Sequence, residues 1–318
     1  MYKTQLRTGP LGGTGLEITQ VGFGAWAIGG GGDRGWGPQD DEESIAAIHR
    51  ALELGVNWID TAAAYGFGRS ERVVGHALAG MTGRPYVFTK ASLLDDGTGH
   101  VRHVLKRDSI LREAEGSLRR LGVDAIDLYQ IHWPIPEEDI EEGWAAMAEL
   151  KERGLVRHIG VSNFTASQVR RIASIVPVET IQPPYSLIDR AAEADVLPLA
   201  RRDGIGVIVY SPKGSGLLTG AMTRERIAKL PADDWRSRDI RFAEPQLSRH
   251  LALAARLQAV ADRHDTTAGG VAVAWTLRNP AVTGAITGFR RPAQVAPVLA
   301  AASLELTGQD MTEIEAAN

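Results

Sequence analysis

Eight short β-type runs, each followed by a longer helical pattern, occupy this 318-residue chain, and few architectures accept that alternation. The runs fall at 20–23, 57–60, 86–89, 125–132, 158–162, 180–182, 206–210 and 285–287. Helical periodicity covers 41–54, 70–78, 108–121, 139–153, 166–174, 191–202, 247–264 with 267–278, and 292–299, with Gly122 and Gly154 placed for left-handed C-caps. This pattern predicts a (β/α)8 TIM barrel running as a single domain over 1–318, with 6–19 as an N-terminal hairpin closing the barrel bottom. No linker, low-complexity tract or further repeat interrupts it.

Three of the runs begin apolar and end polar. Alternation puts Val56, Trp58 and Asp60 on one face, as it does Tyr86, Phe88 and Lys90, and Ile126, Leu128, Gln130 and His132. If those faces line one barrel, Asp60, Lys90 and His132 meet at its C-terminal rim, where such barrels carry their chemistry, and Tyr65 lies just beyond Asp60. Singly, each has an ordinary reading as buried ion pair, core histidine or loop aromatic. A carboxylate, an ammonium, an imidazole and a phenol sharing one mouth point instead to proton transfer.

Composition narrows the field. With 35 basic against 39 acidic side chains and a pI near 6.1, nothing draws the chain to nucleic acid or to an anionic membrane surface. No apolar stretch approaches a membrane span and the first residues lack the apolar core of a signal peptide, so cytoplasm is expected. Absence of cysteine excludes disulfides, thiolate zinc sites and cysteine nucleophiles. His100 and His103 are three apart but lack further ligands, so no metal is expected. Two connections are longer than a βα loop requires: 91–106 after the third strand, with Asp95, Asp96 and both histidines, and the arginine-rich 213–246 after the seventh. On that face, long loops act as lids or specificity walls.

Several segments resemble motifs of the aldo-keto reductases: Ile59-Asp60-Thr61-Ala62 with Tyr65-Gly66, Gly68-Arg69-Ser70-Glu71, Asp127-Leu128-Tyr129-Gln130-Ile131-His132-Trp133-Pro134, Gly160-Val161-Ser162-Asn163-Phe164 and Tyr210-Ser211-Pro212. The match keeps the family's order from about Leu6 to Leu306 and looks closest to the bacterial branch related to potassium-channel β subunits. The resemblance implies an NADPH/NADP+ cofactor and a small carbonyl or alcohol substrate. It makes Tyr65 the general acid in carbonyl reduction, tuned by Lys90 and Asp60, with His132 orienting the carbonyl. Elementary electrostatics agrees. A phenol titrating near 10 needs a shift of about three units, ~4 kcal/mol, to work near neutrality, and an ammonium at ~4 Å supplies roughly that. Asp60 is then needed to keep Lys90 charged, and a neutral His132 can donate to the developing alkoxide.

For the cofactor, the run Ser211, Pro212, Lys213, Gly214, Ser215, Gly216, Leu217 and Leu218 offers backbone N–H groups and a cation suited to a pyrophosphate. By resemblance, Gly288, Arg290 and Gln294 meet the adenosine 2′-phosphate. Ser162, Asn163 and Gln182 hold the carboxamide beside Asp60, Tyr210 stacks on the nicotinamide, and Gly24, Ala25 and Trp26 border it. Relatives commonly place Glu-Asn where Ala296, Pro297 and Val298 stand here, and a lysine at the position of Ala221. No Gly-x-Gly-x-x-Gly opens a helix, so a Rossmann reading fails. Trp26, Trp36, Phe67 and Trp133 are expected to wall a pocket for aromatic and other bulky carbonyls in preference to small charged sugars. Two other classes fit parts of the pattern: a nucleotide-binding sensor that turns over slowly, and a Schiff-base barrel using Lys90.

Overall fold

The computed structural model describes residues 6–32 and 34–316. In chain order the strands are β1 (Thr8–Pro10), β2 (Glu17–Thr19), β3 (Val21–Gly24), β4 (Trp58–Asp60), β5 (Tyr86–Ala91), β6 (Leu93–Asp95), β7 (Val101–His103), β8 (Ile126–Ile131), β9 (Val156–Ser162), β10 (Thr180–Gln182), β11 (Gly206–Val209) and β12 (Gly284–Gly288). Eight of them, β3, β4, β5 and β8 to β12, close into a parallel barrel, and β12 pairs with β3 to seal it. Helices follow the barrel strands as the periodicity predicts, giving the (β/α)8 architecture. The β1–β2 hairpin forms where expected.

Alternation sorts the side chains into two layers. Trp58, Phe88, Leu128, Ile208 and Ile286 point inward and pack with Leu11, Leu16 and Ile18. Their neighbours Ile59, Val87 and Tyr129 point outward into the larger core between strands and helices. The Trp58 and Phe88 ring centroids are 5.3 Å apart, and the Trp58 indole donates to the Thr19 carbonyl at 2.8 Å. The large indole fits because two glycines face it: a Cβ at Gly22 would lie 2.2 Å from the Trp58 ring, and one at Gly284 2.9 Å. Val56, expected on the inner face with Trp58, packs in the outer core instead, because β4 begins only at Trp58.

The structure departs from the sequence reading elsewhere as well, and a short helix at Arg224–Ala228 lies inside the connection expected as a loop. The long connection after β5 is an antiparallel ribbon of β6 and β7. Helix 191–202 is split into a 3-10 turn at Ala191–Glu193 and a helix at Val196–Asp203, which puts Pro198 in a first turn, where its missing N–H costs little. A helix at Gly308–Glu315 was not anticipated. Thr307 and Asp310 cap it reciprocally, and Asp310 also accepts from Arg263 and pairs with His264, each at 2.9 Å. Among the described residues no helix is long and apolar enough to cross a membrane.

Candidate active site

The inner-face alternation delivers Asp60 and Lys90 to the C-terminal rim on adjacent strands. The Lys90 ammonium donates to Asp60 Oδ1 at 2.6 Å, to the Thr61 carbonyl at 2.9 Å and to the Tyr65 hydroxyl at 3.4 Å, and both members of the ion pair are buried. The other Asp60 oxygen accepts from the Gln182 amide at 2.9 Å. Tyr65 sits in a tight turn after β4, where Gly66 takes a φ of 60° and its missing Cβ leaves room for the Gly29 carbonyl, which a Cβ would meet at 2.0 Å. The Tyr65 and His132 rings meet edge to face at 5.7 Å. His132 follows β8, its N–H donating to the Ala91 carbonyl at 3.0 Å and its carbonyl accepting from Asn163 at 2.9 Å.

Burial governs the protonation of this group. It holds the His132 imidazole well below its ordinary value, helped by the Lys90 charge and by His103, so the ring is neutral. It lowers the Lys90 ammonium, and Asp60 opposes that effect. Burial, the Asp60 carboxylate and Tyr210 together push the Tyr65 phenol well above its ordinary value. This is the opposite of the shift expected from the Lys90 charge alone. Asp60 is paired so closely to Lys90 that the phenol meets an ion pair rather than a bare cation, and it keeps its proton.

A cleft of about 750 Å³ runs across the rim past these residues. Of the expected cofactor residues, Gly24, Trp26, Asp60, Ser162, Asn163, Gln182, Tyr210, Ser211, Pro212, Lys213, Ser215, Gly216, Gly288, Arg290 and Gln294 line it. Ala25, Gly214, Leu217 and Leu218 lie beneath its wall. The run at 214–219 winds into 3-10 turns, which bury both leucines in the cores below. Asn163 is held with a φ of 63°, its amide donating to Ser162 at 3.1 Å and accepting from the Tyr210 hydroxyl at 2.8 Å. Lys213 has no carboxylate partner among the described residues. Its ammonium donates to the Gly288 carbonyl at 3.0 Å beside the Phe289 ring, and burial pushes it down to about 8. An under-compensated cation in a long cleft fits the phosphates of a dinucleotide. Arg290 behaves differently from expectation: its donors already serve Gln39 Oε1 at 2.6 Å, the Trp36 carbonyl at 3.0 Å and the Pro38 carbonyl. Burial lowers the Arg290 guanidinium, Arg236 and Arg291 add to that, and the carboxylates Asp234 and Glu43 oppose it.

All four aromatics expected at the substrate end, Trp26, Trp36, Phe67 and Trp133, line the cleft. Sequence reasoning missed what supports them. Trp235 stacks on Trp26 at 5.4 Å, and the Trp235 backbone N–H donates to the Gly35 carbonyl at 3.0 Å. Arg236, paired to Asp234 at 2.6 Å, lies 4.5 Å over the Trp36 ring. A Trp between Asp and Arg in an otherwise polar loop was the available signal. The β6–β7 ribbon adds Leu93, Val101 and His103 to the lining. It is anchored at Ser92, held at a φ of 85°, whose N–H donates to the buried Glu113 carboxylate at 2.9 Å while Ser109 donates to the other oxygen at 3.0 Å. The Ser92 hydroxyl in turn accepts from the Trp133 N–H at 3.4 Å. Nothing in the local sequence marks Glu113 as different from an exposed helical glutamate.

A closed parallel barrel with its polar cluster and long cleft at the C-terminal mouth has the form of an (α/β)-barrel enzyme. The chain belongs to the aldo/keto reductase family, which it matches over residues 20–318. It is 40% identical over 304 residues to the aldo-keto reductase YhdN of Bacillus subtilis, covering 95% of this chain and 90% of that protein. It is 35% identical over 317 residues to the NADH-specific methylglyoxal reductase of Escherichia coli, covering 95% of each. Among solved structures, the glycerol dehydrogenase AKR11B4 from Gluconobacter oxydans superposes with a TM-score of 0.86 at 36% identity, over 100% of this chain and 95% of that one. Carbonyl–alcohol oxidoreduction with a nicotinamide cofactor is the chemistry of this family.

Proposed function

We propose that the protein is an NADPH-dependent carbonyl reductase that moves hydride reversibly between nicotinamide and an aldehyde or ketone. The observation that carries this reading is a protonated Tyr65 phenol 3.4 Å from the Lys90 ammonium and in ring contact with a neutral His132, all on one cleft. A bound nicotinamide supplies the hydride. Tyr65 gives its proton to the carbonyl oxygen, and the nearby Lys90 charge steadies the phenolate that remains. Asp60 holds Lys90 in place and charged, and is itself oriented by Gln182. His132 donates to the same oxygen and fixes the carbonyl's direction. Of the residues lining the cleft, Ser162, Asn163 and Gln182 then hold the carboxamide, Tyr210 stacks on the nicotinamide, and Lys213 with the Ser215–Gly216 backbone meets the pyrophosphate.

The choice of NADPH over NADH rests on Arg290, which lines the cleft with Gly288 and Gln294 and favours an additional phosphate. A relative with NADH specificity makes this the point to test first. Following the oxidation of NADPH and of NADH by absorbance against a panel of aldehydes and ketones tests the whole reading. Turnover with NADPH well above NADH is expected, and no oxidation of either cofactor by any carbonyl would overturn it.

A further inference from the structure

Arg290 reaches the cleft already held on three sides. Its Nε donates to Gln39 Oε1 at 2.6 Å, its Nη1 to the Trp36 carbonyl at 3.0 Å and its Nη2 to the Pro38 carbonyl. The two carbonyls converge on one guanidinium because Gly37, at a φ of 75°, turns the chain between them, a conformation that a side chain would strain. All three partners are uncharged, and among the described residues no carboxylate bonds to Arg290. A guanidinium carries five N–H donors, so two remain once these three are committed, and the groups that orient it leave its charge in place. A cation fixed in direction by neutral acceptors is arranged for an anion that arrives later.

Of the three partners only Gln39 contributes a side chain. Its amide grips Arg290 twice: Oε1 accepts from Nε while Nε2 donates to the Arg290 carbonyl at 3.0 Å. That pairing fixes the amide's orientation, because the reverse would set NH2 against N–H and carbonyl against carbonyl. Nε2 also donates to the Ser44 hydroxyl at 3.0 Å, in the first turn of the helix Asp41–Glu53, and the Gln39 carbonyl accepts from Arg69, which opens the helix after Tyr65. Half-buried Gln39 thus ties the starts of two helices to the segment that follows β12. Resting on the reading in which Arg290 meets the extra phosphate of NADPH, we infer that Gln39 is a positioning residue for cofactor choice. It aims the Arg290 guanidinium while leaving its charge free, and the consequence falls on NADPH and not on NADH, which has no group there to meet. Orientation and charge are separable by substitution at this one position. A glutamate would bond the guanidinium and cancel its charge, and a methionine would leave the charge and remove the bond.

Calorimetric titration of the intact protein with NADPH and with NADH reads the ratio of the two dissociation constants without requiring turnover. In Gln39→Met the preference for NADPH should fall about tenfold, the scale of one charge-assisted contact, with most of the change in NADPH. Gln39→Glu should lower it about tenfold further, since the carboxylate cancels the cation and repels the phosphate. In an Arg290→Ala background Gln39→Met should move the ratio no further, because Gln39 acts through that guanidinium. A preference that survives both substitutions, an equal loss on NADPH and NADH, or a full effect of Gln39→Met in the Arg290→Ala background would overturn the role of Gln39 while leaving the NADPH reading intact. A wild-type protein that binds NADPH no tighter than NADH would overturn both.

Discussion

Glu113 offers a test of the barrel mouth that needs no substrate. Its side chain lies 7% exposed beneath the β6–β7 ribbon, where burial, only partly offset by donation from Ser109 and the Ser92 N–H, raises its pKa to about 7. Two charged groups face it from the adjoining elements: Arg120, which lowers it, and Glu71, which raises it. A carboxyl that titrates at the usual 4.5 unfolded and at about 7 folded holds its proton more tightly in the native state. The stability from that proton is fully present below about pH 4.5 and is lost as the pH rises through about 7. At about 1.36 kcal/mol per pH unit the whole effect is ~3 kcal/mol, most of it between about pH 5 and pH 8. Glu113→Gln stays neutral throughout. Urea unfolding of both proteins across that range should therefore show the wild type losing ~2–3 kcal/mol relative to the variant as the pH rises. A stability difference that stays constant with pH would refute the reasoning, since it would mean that Glu113 titrates as an ordinary surface carboxyl.

Tyr65→Phe should leave NADPH affinity nearly unchanged and reduce turnover by several orders of magnitude, because only the proton donor is lost; a variant retaining a tenth of wild-type turnover would move the acid elsewhere. Arg290→Ala should weaken NADPH by about 2–3 kcal/mol and NADH by less. Equal losses in binding titrations of the two cofactors would show that Arg290 serves only the Trp36, Pro38 and Gln39 segment it already holds. Cofactor affinity should fall as the pH rises past about 8, where Lys213 loses its charge, and Lys213→Met should be weaker but flat across that range; a slope that persists in the variant would assign the titration to another group.

What the sequence made legible was whatever repeats at short range. The two-residue alternation in β4, β5 and β8 was enough to put Asp60, Lys90 and His132 at one end of the barrel, because each strand carries its own inside and outside. What it concealed depends on partners far along the chain. Glu113 reads as a surface residue until Ser92 arrives from 21 positions away, and the Arg290 donors are taken by a loop 251 residues earlier. Leu217 and Leu218 follow a glycine-flanked run that looks open, yet the 3-10 winding turns both into the cores. The direction of the Tyr65 shift failed for a related reason. Charge order along the chain identifies Lys90 and Asp60 as neighbours, but only their geometry shows how far one cancels the other at a third group.

The indole at the barrel floor constrains how relatives of this chain can diverge. Trp58, Gly22 and Gly284 come from three different strands yet share one volume, and a side chain at either glycine would collide with the ring. Neither glycine can grow while Trp58 remains. Trp58 cannot shrink first without leaving a cavity at a cost of about 3–5 kcal/mol, a large share of the stability of a typical domain. Every single-step path away from this trio therefore descends before it climbs. A change at any one of the three is therefore expected to cost stability until a second compensates it.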